Sequence, residues 1–157
     1  MNVMKIIVYK MQHNKAVLPE AQNTDCIPFE EKYFEEYKRI YNECFHDMRK
    51  GLHIKPYHCL SCYEQISEKA KNIFLLMRNH EIIGSIACYG NEIDDLIVNK
   101  KFQNKGYGKQ LLIWGMRYIR KKSKEPIILH VAEWNKNAVE LYKKVGFEIT
   151  LIENIKS

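Results

Sequence analysis

Short apolar runs alternate along this chain with segments of helical periodicity. Extended apolar runs predict strands at residues 1–9, 73–77, 82–89, 92–98, 127–131 and 150–155. Apolar residues that recur every three or four positions predict helices over 28–50, 61–70, 107–122 and 135–145. Residues 12–24 show no period, and we expect a loop there.

Prolines, glycines and capping residues mark the ends of these helices. In chain order, the signals are Pro28 and Gly51, the capping-box spacing from Ser61 to Glu64, the glycine turn before Tyr107 with Pro126 after the helix, and Asn135 with Gly146. The resulting order is β-α-α-β-β-β-α-β-α-β. It predicts a single α/β domain over residues 1–157, in which a meander of strands over 73–98 is followed by a β-α-β crossover.

Composition narrows the class of protein. The 157 residues are 46% apolar and 28% charged, as in ordinary globular domains. No apolar run approaches the roughly 18 residues of a membrane span, and the early polar residues do not resemble an export signal. We therefore expect a cytoplasmic protein with no membrane partner. The net charge of +6 favours an anionic partner, but no nucleic-acid-binding motif occurs, so we expect no nucleic-acid partner.

Five cysteines are scattered along the chain, and we expect them to be reduced thiols. His53, His58, Cys59 and Cys62 could be written as a zinc site. However, the chain has one C-x-x-C pair, and the adjacent His58 and Cys59 do not readily converge on one tetrahedral centre. We expect no metal. An acetylated-cysteine intermediate is not favoured either, since no pattern places a base beside Cys62 or Cys88.

A glycine turn lies between the strand 92–98 and the helix 107–122. It reads Gln103-Asn104-Lys105-Gly106-Tyr107-Gly108, or Q-x-x-G-x-G. Glycines allow close backbone approach, and the following helix start offers unpaired N–H groups and the positive end of its dipole. The turn is therefore a candidate phosphate site.

Two common phosphate loops do not match this spacing. In a mononucleotide P-loop, a Ser or Thr must follow the Gly-Lys pair, where this chain has Gln110. The dinucleotide fingerprint requires a third small residue, where this chain has Leu111.

A second motif, N-x-x-A-x-x-L-Y, runs from Asn135 to Tyr142 and is followed by Gly146 and Phe147. Together with Q-x-x-G-x-G, it resembles the GNAT superfamily of acetyl-CoA-dependent N-acetyltransferases over roughly residues 73–155. Lys105 departs from the arginine often found before the first glycine. The resemblance implies a mixed, mostly antiparallel twisted sheet of six to seven strands with about four helices. It also implies that residues 73–155 bind the cofactor and that 25–72 supply the acceptor side.

The resemblance implies acetyl-CoA as co-substrate, with no metal. Backbone amides of 103–109, with the Lys105 and Lys109 side chains, would hold the pyrophosphate. The backbone of 96–98 would bind the pantetheine arm. The implied cofactor-binding residues are Leu96, Ile97, Val98, Gln103, Asn104, Lys105, Gly106, Tyr107, Gly108, Lys109, Asn135 and Tyr142.

Catalytic candidates also follow from the resemblance. Tyr142 matches the residue that protonates the departing thiolate, although its place on an apolar stripe also fits a core role. Glu92 matches the position of the base in histone-type family members, and Asp94 matches that of an acid in polyamine-type members. Glu92 is favoured narrowly as the base. Strand alternation predicts Glu92 and Asp94 on one face and Asp95 on the other, unless a bulge intervenes.

The predicted function is direct acetyl transfer to a primary amine of a small molecule or peptide, by a monomer or homodimer. The alternative is a non-catalytic acetyl-CoA-binding sensor. The resemblance places the acceptor pocket at the two helices before residue 73 and the connection between them. By position, candidate acceptor contacts are His46, Asp47, Arg49 and Tyr57.

Overall fold

One seven-stranded sheet organises the fold in the computed structural model, which describes residues 5–15, 17–20 and 24–156. The strands are β1 (Lys5–His13), β2 (Cys26–Pro28), β3 (Ile73–Arg78), β4 (Glu81–Tyr89), β5 (Glu92–Val98), β6 (Ile127–Ala132) and β7 (Glu148–Lys156). The helices are α1 (Phe34–Gly51), α2 (Tyr107–Lys122) and α3 (Lys136–Val145).

The strands follow the order β2-β3-β4-β5-β6-β1-β7 across the sheet. Neighbouring strands are antiparallel except β5 and β6, which α2 connects as a β-α-β crossover. The predicted mixed, mostly antiparallel sheet is confirmed, including the meander over β3–β5.

The helices cover opposite faces of the sheet. On one face, Tyr37 and Ile40 of α1 are buried against Ile82 and Ile97. On the other, α2 and α3 bury a second cluster that includes Leu111, Met116, Tyr142, Ile86 and Ile93. Both faces of the central strands are therefore covered, which explains why β3 and β4 are apolar almost throughout.

The predicted helix at 61–70 is wrong, and the described residues form three α-helices rather than about four. This segment forms two short 3₁₀ turns, Tyr63–Gln65 and Ala70–Asn72. The Gln65 side chain explains the tight start. Its Oε1 accepts hydrogen bonds from the N–H groups of Ser61 and Cys62, at 2.6 and 3.0 Å, and its Nε2 donates to the Cys59 carbonyl at 3.1 Å. These hydrogen bonds link Gln65 to residues 59–62 and stabilise a tight 3₁₀ turn.

Two boundaries also differ from the sequence prediction. Pro28 belongs to the short edge strand β2, opposite Phe74, and the helix begins six residues later at Phe34. Gln12 and His13 extend β1 because they pair with Ile128 and Ile127. The predicted first strand also included residues 1–4, which lie outside the described residues.

Strand β5 contains a bulge that changes the direction of one carboxylate. Ser85 pairs with Ile97 and Ala87 with Asp94, so one residue of β4 faces two of β5. Asp95 takes up the extra residue with a positive φ of 46°. Alternation is therefore interrupted: Ile93 and Leu96 pack on the α2 side, whereas Asp95 lies near Tyr37 and Tyr41 of α1. The bulge that the sequence analysis allowed for therefore overrides simple alternation at Asp95, which lies on the α1 side.

Among the described residues, no helix combines the length and apolar character needed to cross a bilayer.

Candidate active site

A cleft of about 450 Å³ opens where β5 and β6 separate. The described residues of these parallel strands pair at only two positions, Glu92 with Ile128 and Ile93 with Leu129. Beyond them, the edge of β5 at 96–98 faces the cleft, and α1 and the start of α3 form its other walls. The residues predicted to bind the cofactor that line it are Leu96, Ile97, Val98, Gln103, Asn104, Gly106, Tyr107, Gly108, Asn135 and Tyr142.

The glycine turn delivers the start of α2 to one end of this cleft. Asn104 and Gly106 both have a positive φ, of 64° and 88°, and a Cβ at Gly106 would have no neighbour within 4 Å. Gly106 is the N-cap, so the N–H groups of the first turn, beginning at Tyr107, have no partner inside the helix. The geometry presents open backbone donors and the positive end of the helix dipole.

The turn is anchored by Asn99 and Cys44, which the sequence analysis missed, and by Gln103, which it assigned to the cofactor. Asn99 is 2% exposed, and its Nδ2 donates to the Ile82 carbonyl at 3.0 Å. The Val98 carbonyl accepts from Gln103 Nε2 at 3.0 Å and from Cys44 Sγ at 3.1 Å. Both lone pairs of that carbonyl are therefore used within the protein. The place of Asn99 directly after an apolar strand was the available signal for such an anchor.

Lys105 and Lys109 do not line the main cleft. They border an adjoining cavity of about 340 Å³, on the other side of Gly106, together with Pro19 and Glu20. Two positive side chains thus lie beside the helix start, which adds to its attraction for an anion.

Asn135 caps α3 and Tyr142 lies within it, at the opposite wall of the cleft. Asn135 Oδ1 accepts a hydrogen bond from the Ala138 N–H at 3.4 Å, as expected of an N-cap. Tyr142 lines the cleft although it is only 8% exposed. Burial raises the pKa of its phenol, and the negative charge of Asp94 raises it further. Tyr142 is therefore a protonated hydroxyl near neutral pH, close enough to β5 to sense Asp94.

The two predicted base candidates occupy different surroundings. Glu92 Oε1 lies 2.8 Å from Nδ1 of His130 on β6, and both side chains are more than a third exposed. Asp94 is exposed, and its Oδ1 accepts the backbone N–H of Asp95 at 2.8 Å. Neither carboxylate lines the cleft. Both precede, along β5, the residues 96–98 that form its edge.

Asp95 is a titratable group that the sequence analysis did not select. Burial raises its pKa to about 6, and the neighbouring charge of Asp94 adds to the rise. Lys69 and a hydrogen bond from Tyr41 act in the opposite direction. Raised carboxyl pKa values are characteristic of functional acids and bases.

The four candidate acceptor contacts are dispersed around the end of α1. Asp47 lines the cleft and forms an ion pair with Lys100 at 3.8 Å. The His46 ring lies 5.8 Å from that of Tyr57, between ring centroids, and Arg49 Nε donates to the Pro56 carbonyl at 2.7 Å. Trp134 and Met48 also line the cleft.

Within residues 5–15, 17–20 and 24–156, no group of three or more His, Cys, Asp or Glu residues is arranged to hold a metal ion. Cys26 and Cys88 are buried, and burial raises the pKa of both thiols to about 12, which keeps them protonated.

The sheet opens between two parallel strands, beside a helix start that is capped by glycine. This arrangement indicates the same class of protein as the sequence motifs, an acetyltransferase of the GNAT type. A sequence profile of the Acetyltransferase (GNAT) family matches residues 29–147. The chain belongs to this family.

Known proteins agree with this assignment. An uncharacterized N-acetyltransferase of Methanocaldococcus jannaschii is 30% identical over 86 residues, which cover 48% of this chain and 38% of that protein. The match therefore spans well under half of that relative's length.

Solved structures share the fold. A GNAT acetyltransferase from Colwellia psychrerythraea superposes with a TM-score of 0.73 at 12% identity, over 96% of this chain and 55% of that one. The PaiA N-acetyltransferase from Thermoplasma acidophilum, in complex with coenzyme A, gives a TM-score of 0.62 at 17% identity, over 87% of this chain and 100% of that one.

Proposed function

We propose that this chain transfers an acetyl group from acetyl-CoA directly to a primary amine of a small molecule or peptide. The proposal rests on one continuous cleft, which runs from the start of α2 along the edge of β5 to Tyr142. A long thioester with phosphates at one end and its reactive carbonyl at the other requires such a path.

The residues present fit the donor. Open N–H groups at the start of α2, with Lys105 and Lys109 beside them, suit a pyrophosphate. Leu96, Ile97 and Val98 supply an extended edge for the pantetheine arm. Because the Val98 carbonyl already has two internal donors, we expect ligand bonds from other backbone groups of this edge.

The reaction releases one proton overall. A base first takes a proton from the acceptor ammonium, and the free amine attacks the thioester carbonyl to form an N–C bond. The C–S bond then breaks, and the phenol of Tyr142 gives its proton to the departing thiolate. The phenolate recovers a proton from the acylated nitrogen, and the base later releases its own proton to solvent.

The proposed acid lies at the cleft, whereas the two carboxylates suggested as base do not line it. Tyr142 borders the cleft and stays protonated near pH 7, which supports the acid role. Glu92 and Asp94, the carboxylates that the resemblance suggests as base, both precede the cleft on β5. Their present contacts are with His130 and with the backbone of Asp95, respectively.

The test is thiol release from acetyl-CoA against a panel of aminoglycosides, polyamines, amino acids and peptides, with mass analysis of each amine. We expect release coupled to an acetylated amine for at least one class. Tight acetyl-CoA binding with no release on any amine would support the non-catalytic sensor instead. Absence of acetyl-CoA binding would overturn the donor itself.

A further inference from the structure

The bulge in β5 presents the Asp95 side chain to the α1 side of the sheet. Positive φ values are uncommon for residues other than glycine, and Asp and Asn tolerate them best. The backbone is held in this shape by the hydrogen bond from the Asp95 N–H to Asp94 Oδ1, at 2.8 Å. A strained, internally braced bulge that turns one carboxylate inward is typical of a functional position.

Three tyrosines from two elements lie close enough to this carboxylate to be affected by its charge. Tyr37 and Tyr41 come from α1 and Tyr89 from the end of β4, and the charge of Asp95 raises the pKa of all three phenols. Lys69, from the segment between α1 and β3, is a nearby positive charge, and Asp94 is a nearby negative one. The Tyr89 hydroxyl is buried and has no hydrogen-bond partner among the described residues. A buried hydroxyl without a partner beside a carboxylate suits a ligand that donates hydrogen bonds.

This group lies next to the reactive end of the cleft. Asp95 immediately precedes Leu96, which begins the part of β5 that lines the cleft. Asp94, adjacent to Asp95, is close enough to Tyr142 for its charge to raise the phenol pKa. The bulge therefore lies between the tyrosines of α1 and the proposed acid on α3.

The other two carboxylates of β5 are less suited to proton abstraction. Glu92 is paired with His130 at the surface, and one Asp94 oxygen is engaged by the backbone. Asp95 is the carboxylate that combines partial burial, nearby tyrosines and proximity to the cleft.

We propose that Asp95 binds the ammonium group of the acceptor and removes its proton, with Asp94 as a positioning residue that holds the bulge. This inference rests on the proposed amine acetylation. An ammonium donates three hydrogen bonds, and the Asp95 carboxylate and the Tyr89 hydroxyl are acceptors for them. The proton passes from the ammonium to the carboxylate, leaving a neutral amine whose lone pair attacks the thioester carbon. Asp95 then returns the proton to solvent.

The test compares Asp95→Asn with Glu148→Gln, a matched change from carboxylate to amide at an exposed position of the edge strand β7. We expect Asp95→Asn to lower kcat by about 10²–10⁴-fold, with the acetyl-CoA Kd unchanged, and Glu148→Gln to stay within about threefold of the parent. In the unsubstituted protein, the acidic limb of the kcat/KM profile should follow a group that titrates near pH 6, and Asp95→Asn should remove this limb. Tyr41→Phe should move the acidic limb to higher pH. The hydrogen bond from Tyr41 lowers the pKa of Asp95, so its loss raises that pKa.

A limb that disappears in Glu92→Gln but persists in Asp95→Asn would overturn the assignment. Carboxyl ¹³C NMR gives a readout that does not depend on turnover. The signal that Asp95→Asn removes should shift when ethylammonium chloride is added, and potassium chloride should not reproduce the shift. If no amine is acetylated but this shift is seen, the proposed reaction fails while the ammonium site stands. A signal that does not respond to ethylammonium overturns the site.

Discussion

The indole of Trp134 lies directly against Gly51, the last residue of α1. A Cβ at Gly51 would come within 2.8 Å of Trp134 Nε1 and 3.0 Å of Cε2. The contact joins the loop before α3 to the end of α1, and Trp134 lines the cleft between them. The size of residue 51 therefore controls where one wall of the cleft lies.

We expect Gly51→Ala to displace the indole, since the end of a side chain moves more easily than a helix backbone. In a Trp114→Phe background Trp134 is the sole tryptophan, so its emission should shift to longer wavelength as the ring gains exposure. Acetyl-CoA affinity should fall severalfold. Lys50→Ala, a change at the preceding exposed position, is the control and should alter neither. Unchanged emission in Gly51→Ala would show that the contact does not position the ring.

Gly106 tests the phosphate end of the cleft. Gly106→Ala places a methyl group on the open side of the turn, at a φ of 88°, and the strain costs about 1 kcal/mol. Gly90→Ala is a matched control, because Gly90 also has a positive φ, 60°, and open space around its Cβ position, but lies in the β4–β5 turn. Both variants should lose similar stability. Calorimetry should show that Gly106→Ala alone weakens acetyl-CoA binding, by about tenfold or more, which corresponds to about 1.4 kcal/mol. Equal affinities in the two variants would contradict the assignment of this turn to the donor.

Tyr142→Phe removes the proposed acid while keeping the ring that packs on Phe147. We expect kcat to fall by about 10²-fold and the acetyl-CoA Kd to stay within about twofold. Tyr118→Phe removes a hydroxyl that accepts from Lys122 Nζ on the outside of α2, and it should change neither quantity. A loss in affinity as large as the loss in kcat would indicate that Tyr142 acts through packing.

The free energy of unfolding of the parent protein should be lower than that of Asp95→Asn at pH 8. The pKa of Asp95 is about 6 in the folded protein against an ordinary value of 3.8, so the folded state binds the proton more tightly than the unfolded state. Above pH 6, the ionised carboxylate therefore opposes folding, by up to about 3 kcal/mol. In urea titrations, Asp95→Asn should be more stable than the parent at pH 8, and this advantage should fade as the pH drops from 6 towards 4. Asp47→Asn, at an exposed carboxylate, should show little change. An Asp95→Asn advantage that does not vary with pH would contradict the raised pKa.

His13 should produce the opposite dependence on pH. It is 1% exposed and packs on Phe147, with ring centroids 5.4 Å apart. Burial lowers its pKa, and the charges of Lys15 and Arg120 lower it further. The unfolded state therefore takes up a proton as the pH falls through about 6.5, before the folded state does, and stability falls by up to about 1.4 kcal/mol per pH unit.

The comparison of slopes isolates this histidine. His13→Leu should flatten the slope of unfolding free energy below pH 6.5, whatever its effect on stability at pH 8. His80→Asn replaces an exposed histidine in a turn with a positive φ, and it should retain the parent slope. Parallel slopes for His13→Leu and the parent would rule out His13 as the cause.

Local sequence signals determined the elements whose ends are set by nearby residues. Helix α2 runs from Tyr107 to Lys122 as predicted, because the left-handed Gly106 begins it and Pro126 follows closely. Helix α3 begins after Asn135 and ends at Gly146, whose φ of 115° is accessible to glycine. These signals act within a few residues, so they can be recognised in the sequence.

Tertiary structure decided the features that depend on distant partners. Strand alternation by itself could not place Asp95, because the bulge exists only in the pairing of β5 with Ser85 and Ala87 of β4. The cleft arises where β6 leaves β5 after two paired positions, and no pattern inside either strand encodes that separation. Segment 61–70 has the spacing of a helix, yet the Gln65 side chain forms hydrogen bonds with residues 59–62 and stabilises a tighter turn. The sequence by itself therefore singled out the glycine turn that we propose binds the donor, whereas pairing between remote segments placed the carboxylate that we propose binds the acceptor.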